Sequence, residues 1–155
     1  MSTKRQPRLS LRTDTAALLE GCAGWHSRLA ARRLSQFLDH ALKASGLGIA
    51  QLGLMAQIAI AADDTLGALA QRTGLDQSTL SRNLRTLEAA GLVEIAIVET
   101  DLRRRAVWLT EAGTRRLAAA IPLWRRAQAQ LPTHVASDLA RTLAEQTESL
   151  PRPTR

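Results

Sequence analysis

Apolar residues recur along this chain at the three- and four-residue spacing of helices, with one strand-like interruption. The first stripe predicts a long helix over residues 14–45, with Asp14 as its N-cap and Gly46 at its end. Gly21 and Gly24 weaken its first turns. A helix of about 30 residues spans about 45 Å, more than one small core needs, so part of it is expected to pack on a second subunit. The stripe consists of Leu18, Cys22, Trp25, Leu29, Leu34, Phe37, Leu38, Ala41 and Leu42.

The next stretch predicts an apolar helix at 49–62, buried on most sides, and then two short helices around a glycine turn. Thr65 either forms a short edge strand or caps the first of the short helices, which ends near Thr73. Gly74 supplies the turn, and Asp76 is placed to cap the second short helix. The buried face of that helix is predicted by an i, i+4, i+7 stripe of Leu80, Leu84 and Leu87.

An alternating, β-branched segment after Gly91 predicts a hairpin. Val93, Ile95 and Val98 form its first strand, and Val107 and Leu109 belong to its second. The expected tip is Thr100, Asp101 and Leu102, followed by the arginine cluster Arg103, Arg104 and Arg105. The order of helix, turn, helix and hairpin predicts a mainly α fold of the α+β winged helix-turn-helix type, with about six helices and a small β-hairpin wing.

Two helices are predicted after the hairpin. Thr110 caps the first, Glu111 lies in its positive first turn, and Pro122 is expected to kink it. Either Pro132 or Thr133 begins the second. The predicted organisation is a basic flexible arm at 1–13, a dimerisation helix at 14–45, a DNA-binding-type winged helix at 46–110, further dimerisation helices at 111–150 and a tail at 151–155.

The charge of the chain changes this picture less than its placement does. The net charge is +7, and 19 of the 21 basic residues are arginine. A basic protein favours a polyanionic partner, yet residues 65–110 carry six arginines against five acids. Residues 1–13 contain four basic residues and no acid. This arm is expected to be a loose terminus, with contact to phosphates as the alternative.

Several classes of protein are not expected from this sequence. A single cysteine and three scattered histidines give neither a disulfide framework nor metal-ligand spacing. We find no catalytic, phosphate-loop or cofactor motif, so neither an enzyme nor a cofactor is expected. The absence of a signal-peptide pattern and of an apolar run of about 18 residues predicts a cytoplasmic, nucleoid-associated protein without contact to a membrane.

The second short helix carries the residue types that read DNA. Short polar and arginine side chains near a helix N-terminus are typical of a helix that enters the major groove. The alternative is an ordinary solvated helix face. The candidate contacts are Gln77, Ser78, Thr79, Ser81, Arg82 and Arg85.

Residues 65–114 resemble the MarR family of bacterial transcription regulators. The resemblance rests on TLGALAQRTGLDQSTLSR, LEAAGLV, the Asp101-x-Arg103 pair and LTEAG, and it extends loosely over residues 18–145. It implies an obligate homodimer with interleaved terminal helices, and double-stranded DNA with a pseudo-palindromic operator as its partner. By this resemblance the six helix residues contact bases, Arg103 enters the minor groove, and Asp101 orients Arg103. Arg104 and Arg105 make backbone contacts at most.

The resemblance also implies a crevice that binds a small anionic or aromatic effector. Most of its candidate residues are equally well explained as core. His26 and Arg33 share a helix face and are the candidates for holding an anion. The full set is Trp25, His26, Leu29, Arg33, Met55, Trp108 and Trp124.

Two alternatives to a ligand-responsive DNA-binding regulator are a redox sensor that acts through Cys22 and a winged helix that has lost DNA recognition. Some relatives sense organic hydroperoxides through a single cysteine in a comparable region, but their tyrosine partners are absent because this chain has no tyrosine. A buried, inert thiol is the commoner case, so we expect peroxide to have little effect. A protein-binding winged helix is the other alternative, and Arg82 and Arg85 argue against it.

Overall fold

The computed structural model describes residues 9–61, 65–98 and 101–151, without the side chains of residues 9, 10, 97, 98 and 101–105. Within these ranges the chain forms seven α-helices and one two-stranded antiparallel sheet, which confirms the predicted fold class. Contacts divide the chain into two compact units, residues 1–37 and 38–155. Only residues 9–13 of the expected flexible arm are described, and they are helical.

Two helices occupy the region where one long helix was expected. Helix α1 spans Leu9–Gly21 and helix α2 spans Ala23–Leu42. Asp14 is consequently not an N-cap but an interior residue of α1, because nothing in the preceding residues prevents a helix from beginning at Leu9. The break falls at Cys22, between the two glycines that weaken helical backbone there.

The second unit contains the hydrophobic core. Helices α3 (Ile49–Ile60), α4 (Leu66–Thr73) and α5 (Gln77–Ala89) supply most of it. The predicted apolar stripes are confirmed at its centre, where the following side chains are at most 2% exposed: Leu42, Met55, Ile58, Leu69, Leu80, Leu84, Leu87, Val93, Val107 and Ala120.

Helix α3 is held at both ends by polar side chains. The Ile49 amide donates to Asp39 Oδ1 at 2.6 Å, and Arg72 of α4 donates to the Gln57 carbonyl oxygen at 3.1 Å. The expected burial on most sides is wrong, because Ala50, Gly53, Ala59 and Ile60 are exposed, Ile60 to 82%. An apolar sequence alone did not reveal that the end of α3 extends beyond the core.

Thr65 fulfils both roles that its position allowed. Its hydroxyl accepts a hydrogen bond from the Ala68 amide at 3.3 Å, so it caps α4. Its backbone also forms an isolated antiparallel bridge with Ala106. The start of α4 is thereby attached to the hairpin.

The hairpin consists of β1 (Val93–Val98) and β2 (Asp101–Leu109). Its register runs from Val93 opposite Leu109 to Val98 opposite Asp101, with an irregularity after Ile97. Asp101 and Leu102 are therefore strand residues and not the expected tip, because the strands pair further out than the alternation of side chains indicates. Thr100, the other residue of the expected tip, lies outside the described residues.

Close contacts connect the base of the hairpin to helix α6 (Glu111–Gln130). The Thr110 hydroxyl donates to the Gly91 carbonyl at 2.7 Å and accepts from the Gly113 amide at 2.9 Å, which confirms the predicted N-cap. A Cβ atom on Gly113 would overlap the Leu92 carbonyl oxygen. Only glycine permits this approach, which gives the LTEAG motif a structural reason.

The C-terminal helices depart from prediction in one respect. Pro122 lies inside α6, which is assigned as one helix through Gln130. A 3₁₀ turn at Leu131–Thr133 follows, and helix α7 spans Leu139–Thr147. The last helix thus begins after Asp138 and not at Pro132 or Thr133, because the 3₁₀ turn at Leu131–Thr133 does not continue into α7.

Candidate nucleic-acid interface

The turn between α4 and α5 has the geometry of a helix-turn-helix. Gly74 ends α4 in the left-handed region, with φ of 66°, and its amide donates to the Gln71 carbonyl at 3.3 Å. This conformation is unfavourable for a residue with a Cβ atom. Leu75 follows and packs against the core, so the turn is fixed on its inner side.

Asp76 organises the N-terminus of α5. Its Oδ1 accepts from the Ser78 hydroxyl at 2.6 Å and from the Thr79 amide at 2.8 Å, and its Oδ2 accepts from the Thr79 hydroxyl at 2.8 Å. The Ser78 hydroxyl, followed by the amide and hydroxyl of Thr79, holds the pKa of this carboxyl well below its usual range. The predicted N-cap is confirmed, and it carries a full negative charge at neutral pH.

Helix α5 has one buried and one exposed face. The leucine stripe is at most 2% exposed, whereas Gln77, Ser78, Arg82 and Arg85 are exposed. Thr79 and Ser81 are half-buried, contrary to their expected outward positions. Thr79 is turned toward Asp76, and Ser81 lines grooves against α4. The exposed face therefore presents two arginines and short polar groups together.

Arg82 is connected to the cap network. Its Nη2 donates to the Thr79 hydroxyl oxygen at 3.3 Å, which leaves further guanidinium N–H groups available for a ligand. A guanidinium can donate two parallel hydrogen bonds to guanine O6 and N7, so a partly oriented arginine on this face has the chemistry of a base reader.

For the arginine cluster of the wing, the structure describes only the backbone. Arg103, Arg104 and Arg105 belong to β2, and Arg105 pairs with Ile97 of β1. The side chains of these arginines and of Asp101 lie outside the described residues, so their predicted roles stay predictions. What the structure adds is that the cluster is on a strand whose base is anchored at Thr110.

Two grooves flank α5, and neither was predicted from the sequence. One, of about 270 Å³, is lined by Leu66, Ser81, Leu84, Arg85, Glu88, Ile95 and Ala96. The other, of about 250 Å³, is lined by Leu66, Gly67, Gln77, Leu80, Ser81 and Leu84. None of the seven predicted effector residues lines either groove. The grooves arise from packing between α4, α5 and β1, which periodicity does not predict.

The predicted effector residues occupy different environments. Met55 is fully buried in the core, and Trp124 packs partly buried against it. In the first unit, Trp25 is 51% exposed, while the His26 ring contacts the Glu20 carbonyl oxygen through Nε2 at 2.8 Å. Arg33 is exposed and Leu29 is half-buried. In the second unit, Trp108 is half-buried as well. Met55 thus has a core role, because a ligand would have to displace packed neighbours to reach it.

Cys22 caps helix α2. The Trp25 amide donates to its sulfur at 3.4 Å and the His26 amide donates to its carbonyl oxygen at 3.1 Å. The thiol is half-buried. This arrangement gives Cys22 a structural role that needs no redox chemistry.

Neither a metal centre nor a membrane span is found in the described part of the chain. Among those residues, no group of three or more His, Cys, Asp or Glu side chains is arranged to hold a metal ion. None of the helices there is long and apolar enough to cross a membrane.

Comparison with known proteins places this geometry in a family. Residues 45–104 match the family model described as MarR family. No match was found among curated proteins. The crystal structure of the transcriptional regulator MosR of M. tuberculosis in complex with DNA is 35% identical, with a TM-score of 0.75, and the match covers 83% of this chain and 95% of that chain.

Two more solved structures show the same fold. A second MosR structure is 33% identical with a TM-score of 0.72, covering 84% of this chain and 96% of that one. A cysteine-to-serine mutant of MarR from E. coli, complexed with operator DNA, is 23% identical with a TM-score of 0.72, covering 86% of this chain and 98% of that one. Proteins of this family are DNA-binding regulators and not enzymes. The chain belongs to the MarR family of winged helix-turn-helix proteins and is a DNA-binding transcription regulator.

Proposed function

We propose that this protein is a homodimeric, ligand-responsive repressor that binds a pseudo-palindromic operator. The observation that carries this proposal is the two-sided character of α5. Its leucine stripe is buried in the core while Gln77, Ser78, Arg82 and Arg85 face solvent beside the rigid cap at Asp76. In this proposal α5 enters the major groove and its exposed face reads bases.

The wing complements the helix. By resemblance to the family, Arg103 enters the minor groove, Asp101 orients it, and Arg104 and Arg105 contact the DNA backbone at most. An arginine is suited to a narrow minor groove because it is always charged and weakly hydrated. The anchored base of the hairpin supports this proposal, since the Thr110–Gly91 hydrogen bond restricts where β2 can lead.

Dimerisation is supported by apolar side chains that the single chain leaves exposed. Leu139, Leu143 and Leu150 are 56%, 43% and 62% exposed in the C-terminal segment. In the first unit, Leu11, Leu18, Leu19 and Trp25 are each about half exposed or more. Groups of large exposed apolar side chains are typical of a surface that a partner covers. A two-fold dimer would place two copies of α5 about one DNA turn apart.

The effector is proposed to be a small anionic or aromatic molecule. His26 and Arg33 are both exposed on α2, seven residues apart, so one helix face offers the positive charge of Arg33 beside an imidazole ring. Titration with small aromatic acids, followed by the release of a bound duplex, tests this part. A response that Arg33→Ala removes would support the assignment, and an unchanged response would contradict it.

Redox sensing through Cys22 is the second candidate function. The sulfur is only half-buried, so the thiol retains some access to solvent and to a small oxidant. We favour the structural role because the contacts of Cys22 cap α2, and because the chain contains no other cysteine with which Cys22 could form an internal disulfide.

Selection from a genomic DNA library with the purified protein tests the proposed function. We expect enrichment of an inverted repeat, bound with an affinity that falls steeply as salt rises. Arg82→Ala and Arg85→Ala should each weaken binding about tenfold or more, by the loss of a base contact worth roughly 1–3 kcal/mol.

Arg125→Ala is the matched control, since it removes the same charge from an exposed position on α6. Equal losses in all three variants would show that α5 contributes only general charge. The absence of any enriched sequence would favour a protein-binding winged helix.

A further inference from the structure

The hydroxyl groups at the start of α5 have a fixed polarity. The Ser78 hydroxyl lies 2.6 Å from Asp76 Oδ1, and the Thr79 hydroxyl lies 2.8 Å from Asp76 Oδ2. An ionised carboxylate only accepts hydrogen bonds, and each hydroxyl has a single proton to donate. Both protons are therefore directed at Asp76, and each hydroxyl faces its other neighbours with oxygen lone pairs.

The position of Arg82 agrees with this polarity. Its Nη2 donates to the Thr79 hydroxyl oxygen at 3.3 Å, which uses one of the two lone pairs of that oxygen. The Ser78 side chain is exposed, and Thr79 is half-buried. At the end of the helix that faces DNA, acceptor groups consequently stand beside a guanidinium donor.

We propose that Asp76 is a positioning residue for sequence recognition: it makes Ser78 and Thr79 hydrogen-bond acceptors, so that they select the amino groups of bases. In the major groove these donors are N6 of adenine and N4 of cytosine. A freely rotating hydroxyl would also donate to N7 or O6 of a purine, and would discriminate less. This inference rests on the proposed operator recognition and specifies its chemistry.

The arrangement is stable under ordinary conditions. The hydrogen bonds from Ser78 and Thr79 hold the pKa of Asp76 well below its usual range, so the carboxylate stays ionised at neutral pH and the hydroxyls keep their orientation. The charge of Asp76 also disfavours close approach of phosphates at this end of the helix. Both effects favour contact between the hydroxyls and base edges.

Nucleotide analogues in the selected operator test the proposal. Each adenine is replaced in turn by purine, and each cytosine by pyrimidin-2-one, because these analogues lack the amino group. A second set contains 7-deazapurines, which lack the N7 acceptor. For the wild-type protein, we expect at least one amino deletion to weaken binding about threefold to tenfold, which is the effect of one hydrogen bond.

Protein variants then assign the contact. Ser78→Ala or Thr79→Val should abolish the penalty of that amino deletion. Thr86→Val is the matched control, because the Thr86 hydroxyl on the same helix donates to the Arg82 carbonyl oxygen. The control should leave the penalty unchanged.

Asp76→Ser separates positioning from helix capping. Serine is also a good N-cap, so α5 keeps its start, but one hydroxyl oxygen cannot bind both side chains and the amide. We expect a reduced penalty for amino deletion and a new penalty for 7-deazapurine. A purely structural role would change the melting temperature and lower all affinities alike, without exchanging one penalty for the other.

Three results would overturn the proposal. If the wild-type protein shows a penalty for 7-deazapurine that Ser78→Ala or Thr79→Val removes, the hydroxyls donate hydrogen bonds to N7. Specific binding without any coupling to amino deletion would overturn this inference alone. Failure to select any specific duplex would overturn the proposed operator recognition, and this inference with it.

Discussion

Helices α5 and α7 carry the same kind of apolar stripe, but the stripe is buried in α5 and partly exposed in α7. Leu80 and Leu84 of α5 are 2% and 1% exposed, because α4 and β1 pack against α5 and both leucines belong to the core cluster. Leu139 and Leu143 of α7 have the same i, i+4 spacing, yet they are 56% and 43% exposed. The opposite face of each helix is polar, with an exposed ion pair between Arg141 and Glu145 on α7.

The difference shows that an amphipathic pattern specifies a buried face without specifying what buries it. For α5 the partner is the rest of the chain, and the polar face stays exposed for the proposed contact with DNA. For α7 the described residues leave both leucines about half exposed, which supports the proposed second subunit. Substitution of a buried α5 leucine is expected to lower the free energy of unfolding. Substitution of an exposed α7 leucine is expected to weaken assembly instead.

Leu84→Ala should have the largest effect. The side chain is 1% exposed in the core, and truncation of a buried leucine typically lowers the free energy of unfolding by about 2–5 kcal/mol. Denaturant unfolding monitored by circular dichroism measures it. Ile60→Ala is the control, because Ile60 is 82% exposed and its truncation should change stability by at most about 0.5 kcal/mol. Similar losses in both variants would contradict the assigned core.

Leu143→Ser should weaken self-association and leave the fold of the single chain intact. Burial of one leucine contributes roughly 1.5–3 kcal/mol, so the dissociation constant should rise about tenfold or more, as measured by sedimentation equilibrium. Arg141→Ser, on the opposite face of α7, is the control and should change association little. If the wild-type protein is a monomer, the proposed covering of α7 by a second subunit is wrong.

Arg103→Ala should weaken operator binding about tenfold and leave the melting temperature unchanged, because the proposed contact exists only with DNA. Fluorescence anisotropy with a labelled duplex measures the affinity. Arg126→Ala, on the exposed surface of α6, serves as the control for loss of charge. A variant that binds as tightly as wild type would show that the wing does not contact DNA as proposed.

Treatment with peroxide should have the smallest effect. We expect operator binding to change less than about twofold, because Cys22 caps α2 and its sulfur already accepts a hydrogen bond from the Trp25 amide. The same titration with Cys22→Ser is the comparison. Loss of binding in the wild type that the variant does not show would establish redox sensing instead.

Local features of α5 were predictable from the sequence. Asp76 is an N-cap because its carboxylate reaches the free amides of the first turn, and the leucine stripe follows from helical geometry. The hydrogen bonds from the Ser78 and Thr79 hydroxyls to the two oxygens of Asp76 were not predicted, since they depend on side-chain rotamers. Thr79 and Ser81 were placed outward by spacing alone, and the structure shows both half-buried.

Errors occurred where a boundary depends on more than one residue. The long first helix is divided at Cys22, although the two glycines around it were recognised as weak points. The start of α7 was placed near Pro132 because proline favours a first turn, whereas the chain forms a separate 3₁₀ turn there. The hairpin extends to Asp101 because backbone pairing continues where the alternation of side chains had become irregular.

The sequence by itself determined the order of elements, the caps at Asp76 and Thr110, and the core leucines, since each depends on spacing within a few residues. Tertiary structure decided which apolar stripes are covered, where the grooves beside α5 lie, and how the wing is anchored through Gly91, Leu92 and Gly113. These features depend on contacts between residues far apart in the chain. Periodicity describes one element at a time, so it cannot specify the partner that each face meets.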